Sequence, residues 1–161
     1  MRIKDDIVVA APVEAVWAII SDPERVLSYM SGVTRWEIAG DVRTGLGARY
    51  RMLFRIGAAE VGGLIEIVEF SAPLEFAWTS VTGLDQRGRW RLRPAPGGRT
   101  RVELRLAYGI AGAGISGWVA EHIAAPSVSG HVRQTLRQLG RLIEQEQLRE
   151  RAARRRALPL G

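Results

Sequence analysis

The chain of 161 residues contains no cysteine, which excludes a disulfide framework and any thiolate metal site. It has only two histidines, His122 and His131, on either side of Pro126. Their separation matches no metal-ligand spacing, so no metal and no cofactor is expected. No apolar stretch reaches the roughly 20 residues that cross a bilayer. The first residues, MRIKDDIVVAAP, carry acidic residues early and no long apolar run. They do not read as a signal peptide, and the expected location is the cytoplasm. Glycine-rich phosphate loops, GxSxG elbows and HExxH helices are all missing. Nucleotide hydrolysis, serine hydrolysis and zinc proteolysis therefore lack a site.

Lysine occurs once, at Lys4, against 22 arginines, a ratio that points to a compositional bias toward arginine. Of the net charge of +6, residues 149–161 supply +4, through five arginines and one glutamate. The rest of the chain is close to neutral, so the basic character is weak support for a nucleic-acid partner. With 47% hydrophobic and 25% charged residues the chain can bury a core, and its length fits one domain. Residues 1–150 are expected to form that domain. Residues 151–161 form a basic tail without an apolar stripe, expected to fray.

Residues 3–10 end in the apolar run IVVAA and read as a strand. Pro12 and Glu14 suit the start of a helix, in which Val13, Val16, Trp17 and Ile20 make one apolar stripe. Asp22 and Pro23 then form a cap and first residue for a second short helix, ended by Ser31-Gly32. From Thr34 to Tyr108 the period becomes two. Tyr50, Met52, Phe54 and Ile56 alternate with arginines, as do Trp90 and Leu92, and Val102, Leu104, Leu106 and Tyr108 alternate with Arg101, Glu103 and Arg105. Such alternation marks antiparallel strands with one covered face and one wet face. Turn signals at 43–47, 71–75, 82–85 and 94–98 divide the region into about six strands. The run LIEIVEF permits either face, and its register stays open. Val128, Val132, Leu136, Leu139 and Ile143 then form a stripe with a period of 3.6. It predicts a long helix from about Ser127 into the 150s, with a shorter one before Pro126. The expected fold class is α+β: a curved antiparallel sheet of about seven strands around a long C-terminal helix, with two short helices after the first strand.

Three segments carry a resemblance: APVEAVWAIISDPERVLSYMSGV at 11–33, EFSAPLEFAW at 69–78 and GRWRLRPAPGGRTRVEL at 88–104. They resemble the helix-grip superfamily, which includes START-related, birch-pollen-allergen-like and polyketide cyclase/dehydrase proteins. The resemblance implies that fold and a cavity between sheet and helix. It says little about activity, because this superfamily hosts carriers, receptors and cyclases alike.

Under that fold the inward aromatics and aliphatics are either a packed core or the wall of a ligand site. The candidate ligand-binding set is Tyr29, Met30, Trp36, Tyr50, Met52, Phe54, Phe76, Trp78, Trp90, Leu92, Leu104, Tyr108, Val132 and Leu136. Tyr29, Met30 and Trp36 are expected near the mouth. Gly130 and Gly140 leave room for a ligand or let the sheet approach. Candidate proton-transfer groups are Glu69, His122 and Tyr108, with Tyr50 behind them. Glu66 and Glu69 differ by three, so a regular strand turns one of them inward. A bulge instead leaves both in water, and a position near the rim pairs one with arginine. Arg49, Arg51, Arg55, Arg89, Arg91, Arg93, Arg101 and Arg105 share the outward parity, a face suited to an anionic membrane surface. No aromatics interleave with them, which argues against nucleic acid. The leading expectation is a binding protein for a lipid, quinone or polyketide-like compound, monomeric or homodimeric. A polyketide cyclase or dehydratase, and an interaction module using the arginine face, are the alternatives.

Overall fold

The computed structural model describes the backbone of residues 1–109 and 114–158, and the side chains of 1–109 and 126–158. Strand β1 (Arg2–Val9) leads into helix α1 (Val13–Ile20), a 3-10 helix (Pro23–Ser28) and six further strands. These are β2 (Val33–Ala39), β3 (Arg49–Ile56), β4 (Ala59–Ser71), β5 (Glu75–Ser80), β6 (Asp85–Ala95) and β7 (Arg99–Gly109). Helix α2 (Gly114–Ala157) follows. The strands form one antiparallel sheet in the order β1-β7-β6-β5-β4-β3-β2, so every connection from β2 to β7 is a hairpin. This is the helix-grip arrangement.

The local reasons are legible residue by residue. The Asp22 carboxylate accepts a hydrogen bond from the Glu24 backbone N–H at 3.0 Å and caps the 3-10 helix, with Pro23 in its first turn. The buried side of α1 is Val13, Val16, Ile19 and Ile20. Trp17 turns its ring edge-on to Phe70 and Phe76 at centroid distances of 5.2 and 5.8 Å. In α2, Val128, Val132, Leu136, Leu139 and Ile143 are all at most 1% exposed. A Cβ on Gly140 would lie 3.4 Å from Ile7 Cδ1, so this glycine serves the close approach of helix and β1, whereas Gly130 is exposed.

One expectation about α2 needs correction. The backbone is one helix through Pro126, not two helices separated there. Proline removes a single i→i−4 hydrogen bond, and the stripe beginning at Val128 anchors the following turns to the sheet. The helix runs on through the basic end to Ala157. Alanine and arginine are strong helix formers, and Arg154, Arg155 and Arg156 in the last turn face the negative end of the helix dipole.

The open register of β4 is settled by a bulge. The pairing of β4 with β5 shifts between Ile67 and Glu69, so that Val68 and Glu69 are both exposed while Ile65 and Ile67 are buried. An extra residue in one strand resets the alternation, and both glutamates reach the outer face. There Glu66 pairs with Arg49 at 2.8 Å and Glu69 with Arg89 at 2.7 Å.

Candidate functional site

Between α1, the 3-10 helix and the inner face of β3–β6 lies a narrow cleft. The space open to the centre of a water molecule is about 40 Å³. Its walls include Tyr29, Met30, Trp36, Tyr50, Met52, Phe76, Trp78 and Trp90 from the expected set. Beyond Met30, Met52 and Trp78 lies a second chamber of about 30 Å³, lined further by Phe54, Tyr108 and Val128. The three dividing residues line both chambers. Methionine is unbranched and has three rotatable bonds, so two parts of this wall can move at low cost.

The other expected residues sit elsewhere. Leu92, Leu104, Val132 and Leu136 are at most 2% exposed and line neither chamber; they are core. Glu69 stands on the outer face, where a hydrogen bond from Arg89 and the charge of that guanidinium hold its carboxyl below the usual range. Its side chain is turned away from the cleft because of the bulge. His122 lies outside the described side chains. His131 ties the chain after the 3-10 helix to α2: its Nδ1 is 3.0 Å from Ser31 Oγ, and its ring fills the space where a Cβ on Gly32 would stand. One helical turn further on, Thr135 Oγ1 accepts from the Ser31 backbone N–H at 2.9 Å.

Several lining residues had no single signal. Ile65, Ile67 and Phe70 belong to β4, whose bulge hid the register. Ile20, Pro23 and Val26 come from the two short helices and close one end. Gly88 has a subtler part. A Cβ there would fall 2.0 Å from Trp78 Cζ2, so the indole lies across a bare stretch of β6, and only glycine leaves that seat.

The chemistry of the cleft is defined by what is already engaged. Each hydroxyl on its wall donates to a backbone carbonyl. Tyr29 Oη reaches Ile20 O at 3.3 Å and Tyr50 Oη reaches Arg43 O at 2.7 Å. Thr44 Oγ1 reaches Ser21 O at 3.1 Å and Ser21 Oγ reaches Trp17 O at 2.6 Å. Burial pushes the Tyr29 phenol well above its usual range, and burial raises Tyr50 as well, against the Thr44 hydrogen bond and the charge of Arg43. Both phenols are therefore neutral at working pH. No carboxylate, imidazole or cationic side chain lines this cleft among the described residues. Nor is there a group of three potential metal ligands among them. Among the described residues, the titratable groups on these walls are Tyr29 and Tyr50, both held neutral.

The outer face holds a broader hollow, open to solvent, of about 610 Å³ across β1, β7, β6 and β5. Arg89 there is bound by Glu69 and Glu75, and Lys4 and Arg105 by Glu103. Of the eight arginines on the outward parity, all but Arg93 lie within 4.0 Å of a carboxylate among the described residues. The face is a lattice of neutralised pairs, and an apolar molecule in that open hollow would shed little water. The inner cleft is much smaller but is walled mainly by apolar side chains. No helix of the described residues is long and apolar enough to cross a membrane.

Comparison with known proteins follows the same line. Solved structures share the fold across nearly the whole chain. A protein from Thermus thermophilus is 22% identical, with 91% of this chain and 99% of that one aligned at a TM-score of 0.77. The Zhui aromatase/cyclase from a Streptomyces species is 17% identical, with 89% and 93% aligned at a TM-score of 0.74. A START superfamily protein from Mycobacterium smegmatis is 16% identical, with 89% and 97% aligned at a TM-score of 0.67. No curated protein matches the sequence. Residues 1–144, the sheet and most of α2, match the family described as polyketide cyclase/dehydrase and lipid transport, and the chain belongs to that family.

Proposed function

We propose that the protein binds and carries an apolar small molecule in the cleft between the inner face of the sheet and the two short helices, without transforming it. The observation that carries this reading is the composition of the cleft wall. It is built of aromatic, aliphatic and thioether side chains, its hydroxyls are spent on backbone carbonyls, and no described lining residue titrates near neutral pH. Such a wall favours burial of apolar surface, at about 25 cal/mol per Å², and none of its described side chains is placed to move a proton near neutral pH. A cyclase working by acid–base catalysis needs at least one such group within hydrogen-bond reach of its substrate.

The narrowness of the cleft belongs to the same reading. Displacement of Met30 and Met52 joins the two chambers into one elongated space between the 3-10 helix and the end of β7. Entry in this reading is beside the 3-10 helix, where Pro23, Met30, Trp36, Thr44 and Gly45 keep some exposure, while Tyr29 is buried behind them.

Native mass spectrometry of the purified protein, followed by denaturing extraction, tests the reading. The expected result is a near-stoichiometric apolar compound lost on denaturation. A protein that is empty, and that also fails to bind a panel of quinones, lipids and aromatic polyketides, would sink it.

A further inference from the structure

Two donors on side chains that line the first chamber have no partner among the described residues. The indole Nε1 atoms of Trp36 and Trp78 are buried and make no hydrogen bond among the described residues. Both side chains line the chamber, and Trp78 is only 5% exposed. A buried donor without an acceptor has lost its water and gained nothing in return, and folded proteins hold few of them. Neither indole is free to turn away. Trp78 is pinned by its seat across Gly88, and Trp36 is stacked on Tyr50 at a centroid distance of 4.6 Å and an interplanar angle of 23°.

The rest of the chamber sharpens what these donors can serve. Its four hydroxyl protons are committed to Ile20, Arg43, Ser21 and Trp17 carbonyls. No described cationic side chain lines it to balance an anion. A carboxylate or phosphate entering here would lose its hydration without gaining a counter-charge. A plain hydrocarbon would leave both N–H groups unsatisfied. From this geometry we infer that the ligand is a neutral apolar carbonyl compound, with oxygen acceptors received by the Trp78 and Trp36 indole N–H groups. The inference rests on the apolar-binding reading and narrows it to one chemical class. It also gives the two tryptophans a specificity role that packing alone does not.

The test compares three probes of nearly equal size on the full chain by calorimetry: menadione, methylnaphthalene and naphthoate. The absence of cysteine removes the thiol addition that would otherwise complicate a quinone. Menadione is expected to bind about tenfold tighter than methylnaphthalene, with naphthoate weakest. Trp36→Phe and Trp78→Phe delete the donor and keep an aromatic ring on the wall. Each is expected to lower menadione affinity several-fold more than it lowers methylnaphthalene affinity. A second readout uses the unmodified protein, so it does not depend on the variants folding. Menadione, but not methylnaphthalene, is expected to shift the two indole N–H proton resonances downfield. Equal affinity for menadione and methylnaphthalene, or unmoved indole resonances, would overturn the inference while leaving the apolar-binding reading intact. Tightest binding of naphthoate would also overturn it. Failure of all three probes to bind would overturn the inference, and the extraction experiment above then decides separately whether the apolar-binding reading stands.

Discussion

The two faces of the sheet are made by the same strands and are opposite in what they leave unpaired. On the inner face of β3, β5 and β6 stand Tyr50, Met52, Phe54, Phe76, Trp78 and Trp90; on the outer face of β3 and β6 stand Arg49, Arg51, Arg55, Arg89 and Arg91. The outer face has a high density of charge, yet its cations are matched by Glu37, Glu60, Glu66, Glu69 and Glu75. The inner cleft is lined by no charged side chain among the described residues, yet it holds two donors with nothing to bind. Charge counts alone point to the outer face as the functional surface. Unspent hydrogen-bonding capacity points to the inner one, and in a low-dielectric interior that capacity is worth more.

The contrast can be broken first at Gly88. Gly88→Ala places a methyl group where the Trp78 indole lies, so the ring must leave its seat or β6 must shift. Overpacking of this kind is expected to cost about 3 kcal/mol, a fall in Tm of roughly 6–12 °C for a domain of this size. Thermal unfolding followed by circular dichroism measures it.

A smaller effect is expected where the two faces exchange character. Glu103 has outward parity but is only 8% exposed, covered by Lys4 and Arg105. Burial acts to raise its carboxyl, but hydrogen bonds from Arg105 and Lys4 outweigh burial and hold it below the ordinary value of 4.5. A depressed folded-state value means stability that is complete above 4.5 and lost as pH falls through the depressed value. Glu103→Gln is expected to cost about 1 kcal/mol at neutral pH, and urea midpoints of variant and wild type are expected to converge in acid.

The smallest effect belongs to the open outer lattice. Arg49 and Glu66 sit directly opposite on β3 and β4 and are 2.8 Å apart, but both are partly in water. Glu66→Gln is expected to cost about 0.5 kcal/mol or less, and the difference should shrink further in high salt. A loss comparable to that at Gly88 would show the outer face to be structural in a way its exposure does not indicate.

Much of this was written in local pattern. Strict alternation in β3, β6 and β7 settled which residues face inward, because a side-chain period of two leaves no other assignment once one face is buried. The 3.6-residue stripe from Val128 to Ile143 identified the buried side of α2, and Asp22-Pro23 marked the turn into the 3-10 helix. Most of the aromatic wall of the cleft followed from that parity alone. What parity could not do was separate wall from core: Leu92 and Leu104 alternate inward like Trp90, yet they line no cavity.

Three decisions were tertiary. The bulge between Ile67 and Glu69 exists because β4 must match both β3 and β5, and it sent to the outer face a carboxylate that a regular strand would have turned inward. The helix through Pro126 is continuous because packing outweighs one lost backbone hydrogen bond. The choice of which polar groups in the cleft are satisfied depends on how the connections fold back on the short helices and β3, which brings Arg43 O to Tyr50, Ile20 O to Tyr29 and Ser21 O to Thr44. Residue type and spacing determined that a sheet with an aromatic inner face would close over a helix. Only the packed structure decided that its hydroxyls were spent and its two indoles were not, because hydrogen-bond partners are assigned by distance in space and not by order along the chain.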